Sequence, residues 1–451
     1  MRSLVLAGGG MRVAWQAGVL KALSDEGLEF DHVDGTSGGI MTAGMLLSGQ
    51  TPEEMAERWS TLEVRDFSSP LSVGDYLKGP WNLPGLADTD GILEKVFPHL
   101  GISPTKIWQS TTPGSFNVAD FVTKTCVAVP HTEVDVELLA AGMSLPLFMP
   151  PLRRSDGIWT DAVWIKDANI TEALRRGADE VWLVWCIGNS PYWGDGPLEQ
   201  YVHMIEMSAG GALQAELEAA SASGREFVLH VVRPAHPLPL DPEFFSGRIS
   251  ASSLVDMGYR DAQAYLDVRR PEGVPHEPGC TAMVDLPPGV RFTQRLQGEL
   301  GGAPLTLELT VELPMPGDHG ISPRVAGHLD HAPWGGRVPL ADGTLSSSRK
   351  SLSFHGRARL DGEWVPVELT TPLSGDLDWD EWLRPRDPRL TVGGHATEVD
   401  VRLHDAIRTV LGAEPFGVHG LKERASMLAR FGLAGPRIPS ARAASRPRIR
   451  G

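Results

Sequence analysis

Cysteine is scarce in this chain. Three among 451 residues, at positions 126, 186 and 280, are too few and too scattered for a disulfide framework. Cys126 and Cys186 fall inside apolar, strand-like runs, and all three read as reduced, buried thiols without a metal or redox role. Long apolar runs are missing as well: no stretch reaches the roughly 18 residues that a membrane-crossing helix needs. Met1-Arg2 leads into a short apolar run that ends at a glycine triplet, so no secretory signal is read and a soluble, cytoplasmic protein is expected. Positive charge is in deficit, with 41 Lys and Arg against 57 Asp and Glu and a formal net charge of −16. That balance argues against a nucleic-acid partner. The chain is long enough for two or three domains, and 41% hydrophobic with 22% charged residues is ordinary globular composition.

Glycine and small residues are concentrated where chemistry is expected. Asp34-Gly35-Thr36-Ser37-Gly38-Gly39 matches G-x-S-x-G and is followed by an apolar helical run over 40–47, so Ser37 can sit on a sharp strand-to-helix turn with its hydroxyl exposed. Upstream, the apolar run 3–7 ends at Gly8-Gly9-Gly10, and from Arg12 the spacing of Trp15, Val19, Leu20 and Leu23 becomes helical until Gly27. Strand, glycine loop and helix present unpaired N–H groups at the positive end of a helix dipole, a place that favours an anion. Three readings stay open: a dinucleotide pyrophosphate site, although the third glycine of that fingerprint falls at Val13; an oxyanion hole for an ester carbonyl; or a plain turn.

Further along, Thr51-Pro52-Glu53-Glu54 predicts a capping box with proline at the first helical position, opening a helix through about Thr61. Residues 65–114, rich in Pro, Gly and Trp, predict loops with short helices, either a lid or a surface insertion. Residues 116–129 predict one or two strands and 134–143 a helix ended by Pro146. Residues 152–163 predict a hairpin turning at Asp156-Gly157 and emerging at Asp161. The apolar runs 181–187 and 227–232 suit strands buried on both faces of a parallel sheet, with helices over 201–220 and 258–268. Strands separated by helices define a three-layer α/β domain over 1–270 with a mainly parallel central sheet.

Taken in order, Gly8-Gly9-Gly10-Met11-Arg12, Gly35-Thr36-Ser37-Gly38-Gly39, Ser144-Leu145-Pro146-Leu147-Phe148 with Pro150-Pro151, and Asp161 resemble a patatin-like phospholipase domain covering about the first 270 residues. The resemblance implies a Ser-Asp dyad without histidine: Ser37 as nucleophile, Asp161 as base, Gly8, Gly9 and Gly10 as oxyanion hole with Arg12 beside it, and Gly35 and Gly39 shaping the nucleophile elbow. It implies a lipid ester substrate, a phospholipid or lysophospholipid, and neither metal nor cofactor. Two positions depart from the family pattern: Asp161 is followed by Ala162-Val163 where glycine is usual, and Val13 replaces the glycine after the arginine. The alternatives are Asp156 as base and a non-catalytic lipid-binding relative. Chemically, a serine hydroxyl needs a nearby base, and a carboxylate of ordinary pKa is a weak one unless burial raises it. None of the fourteen histidines falls in these motifs; His32, His230 and His236 are read as structural.

Beyond residue 270 a Pro/Gly/Glu linker leads to strand-like segments at 282–284, 291–299, 305–313, 324–328, 351–360 and 363–369, a β-rich domain over 279–375 read as an antiparallel sandwich or barrel. In pattern it resembles a module that accompanies cholesterol-oxidase-like GMC proteins. Helices are predicted over 397–411 and 420–431, within a helical segment 396–435. The tail 436–451 carries five arginines and no acid; it is read as disordered, with transient contact with a membrane surface as its functional alternative.

Overall fold

The computed structural model describes residues 1–434 apart from 63, 68–84, 86, 188–192, 194–195, 239–248, 285–286, 316–322, 349, 375–378 and 419. The basic tail, and residues 68–84 and 86 of the expected covering segment 65–114, therefore lie outside the described residues; the remainder of that segment holds the short helices Ile92–Val96, Phe97–Leu100 and Pro104–Trp108. The chain divides into two compact units, Met1–Val284 and Asp285–Gly451.

The first unit is built on strands β1 (Arg2–Leu6), β2 (His32–Thr36), β3 (Gly114–Asp120), β4 (Thr125–Pro130), β5 (Leu152–Arg154), β6 (Gly157–Asp161), β7 (Glu180–Val184) and β8 (Val228–Val232). Five of them, in the order β3-β2-β1-β7-β8, run parallel. The strands β1, β7 and β8 are mostly apolar and buried on both faces, as at Leu4 and Val5 or Trp182 and Leu183, whereas β2 and β3 also bury polar side chains. The sheet is mixed rather than uniformly parallel: β4, β6 and β5 join antiparallel around β3. Glycine loop and elbow each open a helix, Ala14–Asp25 after the 3-10 turn Gly10–Val13 and Gly39–Leu47 after Ser37. The capping box forms as its residues dictate, Thr51 Oγ1 accepting from the Glu54 amide at 3.2 Å and Glu54 Oε2 from the Thr51 amide at 2.9 Å.

The second unit is a closed antiparallel barrel. Strands β9 (Gly289–Leu300), β10 (Ala303–Pro314), β11 (Arg324–His331), β12 (Gly336–Ser347), β13 (Ser351–Leu360), β14 (Glu363–Pro372), β15 (Arg389–Val392) and β16 (His395–Asp400) follow one another around it. The circle closes where Val399 of β16 pairs with Gly298 of β9, and the short β17 (Glu414–Phe416) adds to the far end of β9. Three hairpins turn on two residues, Gly301-Gly302, Asp361-Gly362 and Gly393-Gly394, all six with positive φ, the turn whose twist matches that of the strands. The interior is filled by its own side chains; Trp382, from the helical turn Trp379–Leu383, meets the ring of Phe292 edge-on at 5.1 Å.

Three expectations are corrected here. Residues 282–284 belong to no strand and follow the 3-10 turn Pro278–Thr281. Residues 397–400 are strand rather than helix, because β16 is needed to close the barrel on β9, and the helix begins only at Leu403. Strands β12, β15 and β17 were not foreseen, so the strands run past residue 375, the expected end of the β-rich domain; in β12 Pro339 and Gly343 interrupt the pattern, and its pairing shifts register there.

Candidate active site

The register of β3 brings the two key residues together. Along one edge β3 pairs with β4 over 115–120. Its other edge is shared, by β2 running parallel as far as Thr36 opposite Asn117, then by β6 running antiparallel down to Asp161 opposite Val118. The strands meet head to head, and the residue after Thr36 faces the last residue of β6. Ser37 Oγ donates to Asp161 Oδ2 at 2.6 Å, between residues 124 positions apart. Ser37 has φ of 51°, a left-handed conformation that a non-glycine residue holds only when its surroundings enforce it. The enforcement is close backbone packing: a Cβ on Gly39 would lie 2.2 Å from the Leu6 carbonyl oxygen, and one on Gly35 would lie 2.8 Å from that of Gly39.

Asp161 is fully buried. Burial pushes its carboxyl up to about 7, against the opposing pull of the hydrogen bonds from Ser37 and the Val163 amide. The latter, 2.9 Å to Oδ1, orients the carboxylate. Both departures from the family pattern are accommodated. Ala162 and Val163 form a 3-10 turn with negative φ, and what serves Asp161 there is a backbone N–H that any residue but proline supplies. Val13 is buried, its Cγ1 lying against Gly9 and Gly38 where loop and elbow pass each other.

The three glycines of the loop are not equivalent. The Gly8 amide donates to Asp167 Oδ1 at 2.8 Å, so it is engaged inside the protein and departs from the role expected of it. The Gly8 carbonyl accepts from the Cys186 thiol at 3.1 Å. Among the described residues the Gly9 and Gly10 amides meet no acceptor. Arg12 is buried and its Nε donates to the Gly9 carbonyl at 3.1 Å, bracing the loop from behind, with Glu206 Oε1 4.0 Å from Nη1.

Beneath the elbow lies a polar network that the sequence did not reveal. Buried Asp34 accepts from Ser115 Oγ at 2.5 Å and from Asn117 Nδ2 at 2.6 Å. Asn117 Nδ2 also reaches Thr36 Oγ1, and Asn117 Oδ1 accepts from Asn169 Nδ2 at 2.7 Å. Burial raises Asp34 to about 7. The only signal for it was an acidic residue in an otherwise small and apolar strand end. His32 sits in this network between Ser3 and Ser115, His230 bonds Tyr265 and stacks on Trp182, and His236 bonds the Val284 carbonyl; none of these contacts involves Ser37 or Asp161. Asp156 is exposed at the hairpin turn and accepts from Trp159 Nε1.

Residues 4–174 match the Patatin family model, described as patatin-like phospholipase, and the first unit is a patatin-like α/β domain. The match ends there, and nothing supports the likeness of the C-terminal barrel to the GMC-associated module. No curated protein matches the chain. Among solved structures, VipD from Legionella pneumophila aligns at 15% identity over 59% of this chain and 67% of its own, with a TM-score of 0.35, too low to carry an argument. Among the described residues no helix is long and apolar enough to cross a membrane.

Proposed function

We propose that the chain is a serine acyl hydrolase that cleaves lipid esters, phospholipid or lysophospholipid, with Ser37 as nucleophile and Asp161 as its base. The observation that carries this reading is the 2.6 Å hydrogen bond from a hydroxyl on a strained turn to a fully buried carboxylate. An acid whose pKa is raised toward neutrality takes a proton more readily than an ordinary carboxylate, at a pH where it is still substantially ionised. Ser37 Oγ attacks the ester carbonyl carbon as its proton passes to Asp161 Oδ2. The tetrahedral oxyanion is held by the free amides of Gly9 and Gly10. Collapse expels the alcohol, which takes the proton from Asp161, and water repeats the sequence to release the acyl chain.

Apolar surface beside the site supports a lipid substrate. The loop that leaves Ser144, whose carbonyl accepts from the amide of Asp161 and the hydroxyl of Thr160, carries Leu147 at 59% exposure. Tyr201 of the helix Pro197–Ala222 holds that loop by donating to the Pro146 carbonyl, and its ring meets that of Phe148 at 5.4 Å. The test is hydrolysis of a chromogenic fatty-acyl ester and of a phospholipid panel read by mass spectrometry. Wild type turns over and Ser37→Ala does not; equal turnover by both sinks the nucleophile, and tight lipid binding without turnover by either makes the chain a binding protein.

A further inference from the structure

Asp167 is a second buried carboxyl at this site, and the reaction as written above does not use it. It lies between the 3-10 turn Ala162–Trp164 and the helix Ile170–Arg175, fully buried. One oxygen, Oδ1, accepts from the Gly8 amide; the other, Oδ2, is buried and has no hydrogen-bond partner among the described residues. Gly8 is wedged between this carboxyl and the nucleophile. A Cβ built on it would lie 2.4 Å from Asp167 Oδ1, 2.8 Å from Ser37 Cβ and 3.4 Å from Ser37 Oγ. The carboxyl therefore stands about one residue's width behind the serine and ties down the loop whose Gly9 and Gly10 amides remain free.

Resting on the dyad reading above, we propose that Asp167 is a positioning residue: its Oδ1 fixes Gly8 and with it the oxyanion loop, and it must be uncharged for that loop to accept a developing negative charge. An ionised carboxylate needs hydrogen bonds to both oxygens when water is excluded, and here one oxygen has none. Among the described residues the charged groups acting on it are Asp161, on its own segment, and Arg12, from the turn after the glycine loop; the Cys186 side chain donates to the Gly8 carbonyl of the same loop. Burial, with the like charge of Asp161 adding to it and the Gly8 amide and Arg12 opposing, pushes Asp167 up to about 8. Asp161 is raised as well, but donors reach both of its oxygens, from Ser37 and the Val163 amide, whereas only one oxygen of Asp167 has one; the better-satisfied Asp161 therefore ionises first. Two neighbouring acids pushed apart in this way take different roles. Asp161 acts as base while Asp167 keeps its proton; above that range a second negative charge sits behind the oxyanion and opposes it.

The test compares wild type, Asp167→Asn and Asp167→Ala by kcat/KM against pH and by Tm against pH. Asparagine keeps an oxygen for the Gly8 amide and carries no charge. Expected are a bell-shaped wild-type profile that falls above about pH 8, an Asp167→Asn profile that rises and then stays level, and an alanine variant at least about 10-fold slower than asparagine at pH 7, from the misplaced loop. A falling limb that survives in Asp167→Asn, no falling limb in wild type, or no advantage of asparagine over alanine each overturns the proposal. If no protein turns over, the dyad reading fails instead, and the melts still decide the buried acid. The Tm gap between Asp167→Asn and wild type widens in favour of the variant as pH rises from 7 to 9, whereas a constant gap refutes a protonated Asp167.

Discussion

Ser37 Oγ and Asp161 Oδ2 lie 2.6 Å apart because two strands of opposite direction abut on one edge of a third. The geometry is thus a property of the sheet, and it makes several outcomes measurable.

Asp161→Asn keeps an oxygen to accept from Ser37 but removes the base. The expected result is a folded protein with unchanged Tm to within a few degrees and kcat lower by about 10²–10⁴-fold. Activity within a few-fold of wild type would assign the base elsewhere.

The rate should titrate with the buried carboxylate. Asp161 must be ionised to take a proton, and burial puts its pKa near 7, so the logarithm of kcat/KM rises by one unit per pH unit below that value, and the rise ends near it, before the fall above about pH 8 ascribed to Asp167. A midpoint near 4, the value of an exposed aspartate, refutes the dry environment.

Gly39→Ala introduces a methyl 2.2 Å from the Leu6 carbonyl oxygen and 2.8 Å from that of Ala7. Neither atom is the end of a flexible side chain, so the helix start must move. We expect a loss of about 1–3 kcal/mol in chemical denaturation and a displaced Ser37. Full stability with full activity refutes the close approach.

Asp34 also makes folding pH-dependent. Its folded pKa is raised to about 7, so the folded state binds this proton more tightly than the unfolded one. The stabilisation is complete below the unfolded value near 4 and is lost as pH rises through 7. His32, lowered by burial to about 4, works in the opposite direction, but only below its unfolded value near 6.5. Between pH 6.5 and 8.5 Tm should therefore fall in wild type and fall less in Asp34→Asn; parallel slopes contradict the assignment.

In the second unit Trp382 fills the barrel against Phe292. Trp382→Ala should cost about 3–5 kcal/mol, seen as an earlier melting transition and faster amide exchange in β9 and β13. Unchanged exchange there means that the ring is not part of the core.

Local rules made much of this molecule legible in its sequence. The strand, glycine loop and helix, the elbow at Ser37, the capping box at Thr51 and the hairpin into Asp161 all depend on residues within a few positions of each other, as do the Gly-Gly and Asp-Gly turns of the barrel. Resemblance to a family, not spacing, pointed to Asp161 as the partner of Ser37. Only the tertiary structure decided what long-range pairing and burial control. It made residues 397–400 a strand, because β9, a hundred residues earlier, offered an open edge. It engaged the Gly8 amide through Asp167, and it raised three aspartates by withdrawing them from water. A carboxyl's pKa depends on its surroundings, and the chain's order alone does not state which atoms will surround it.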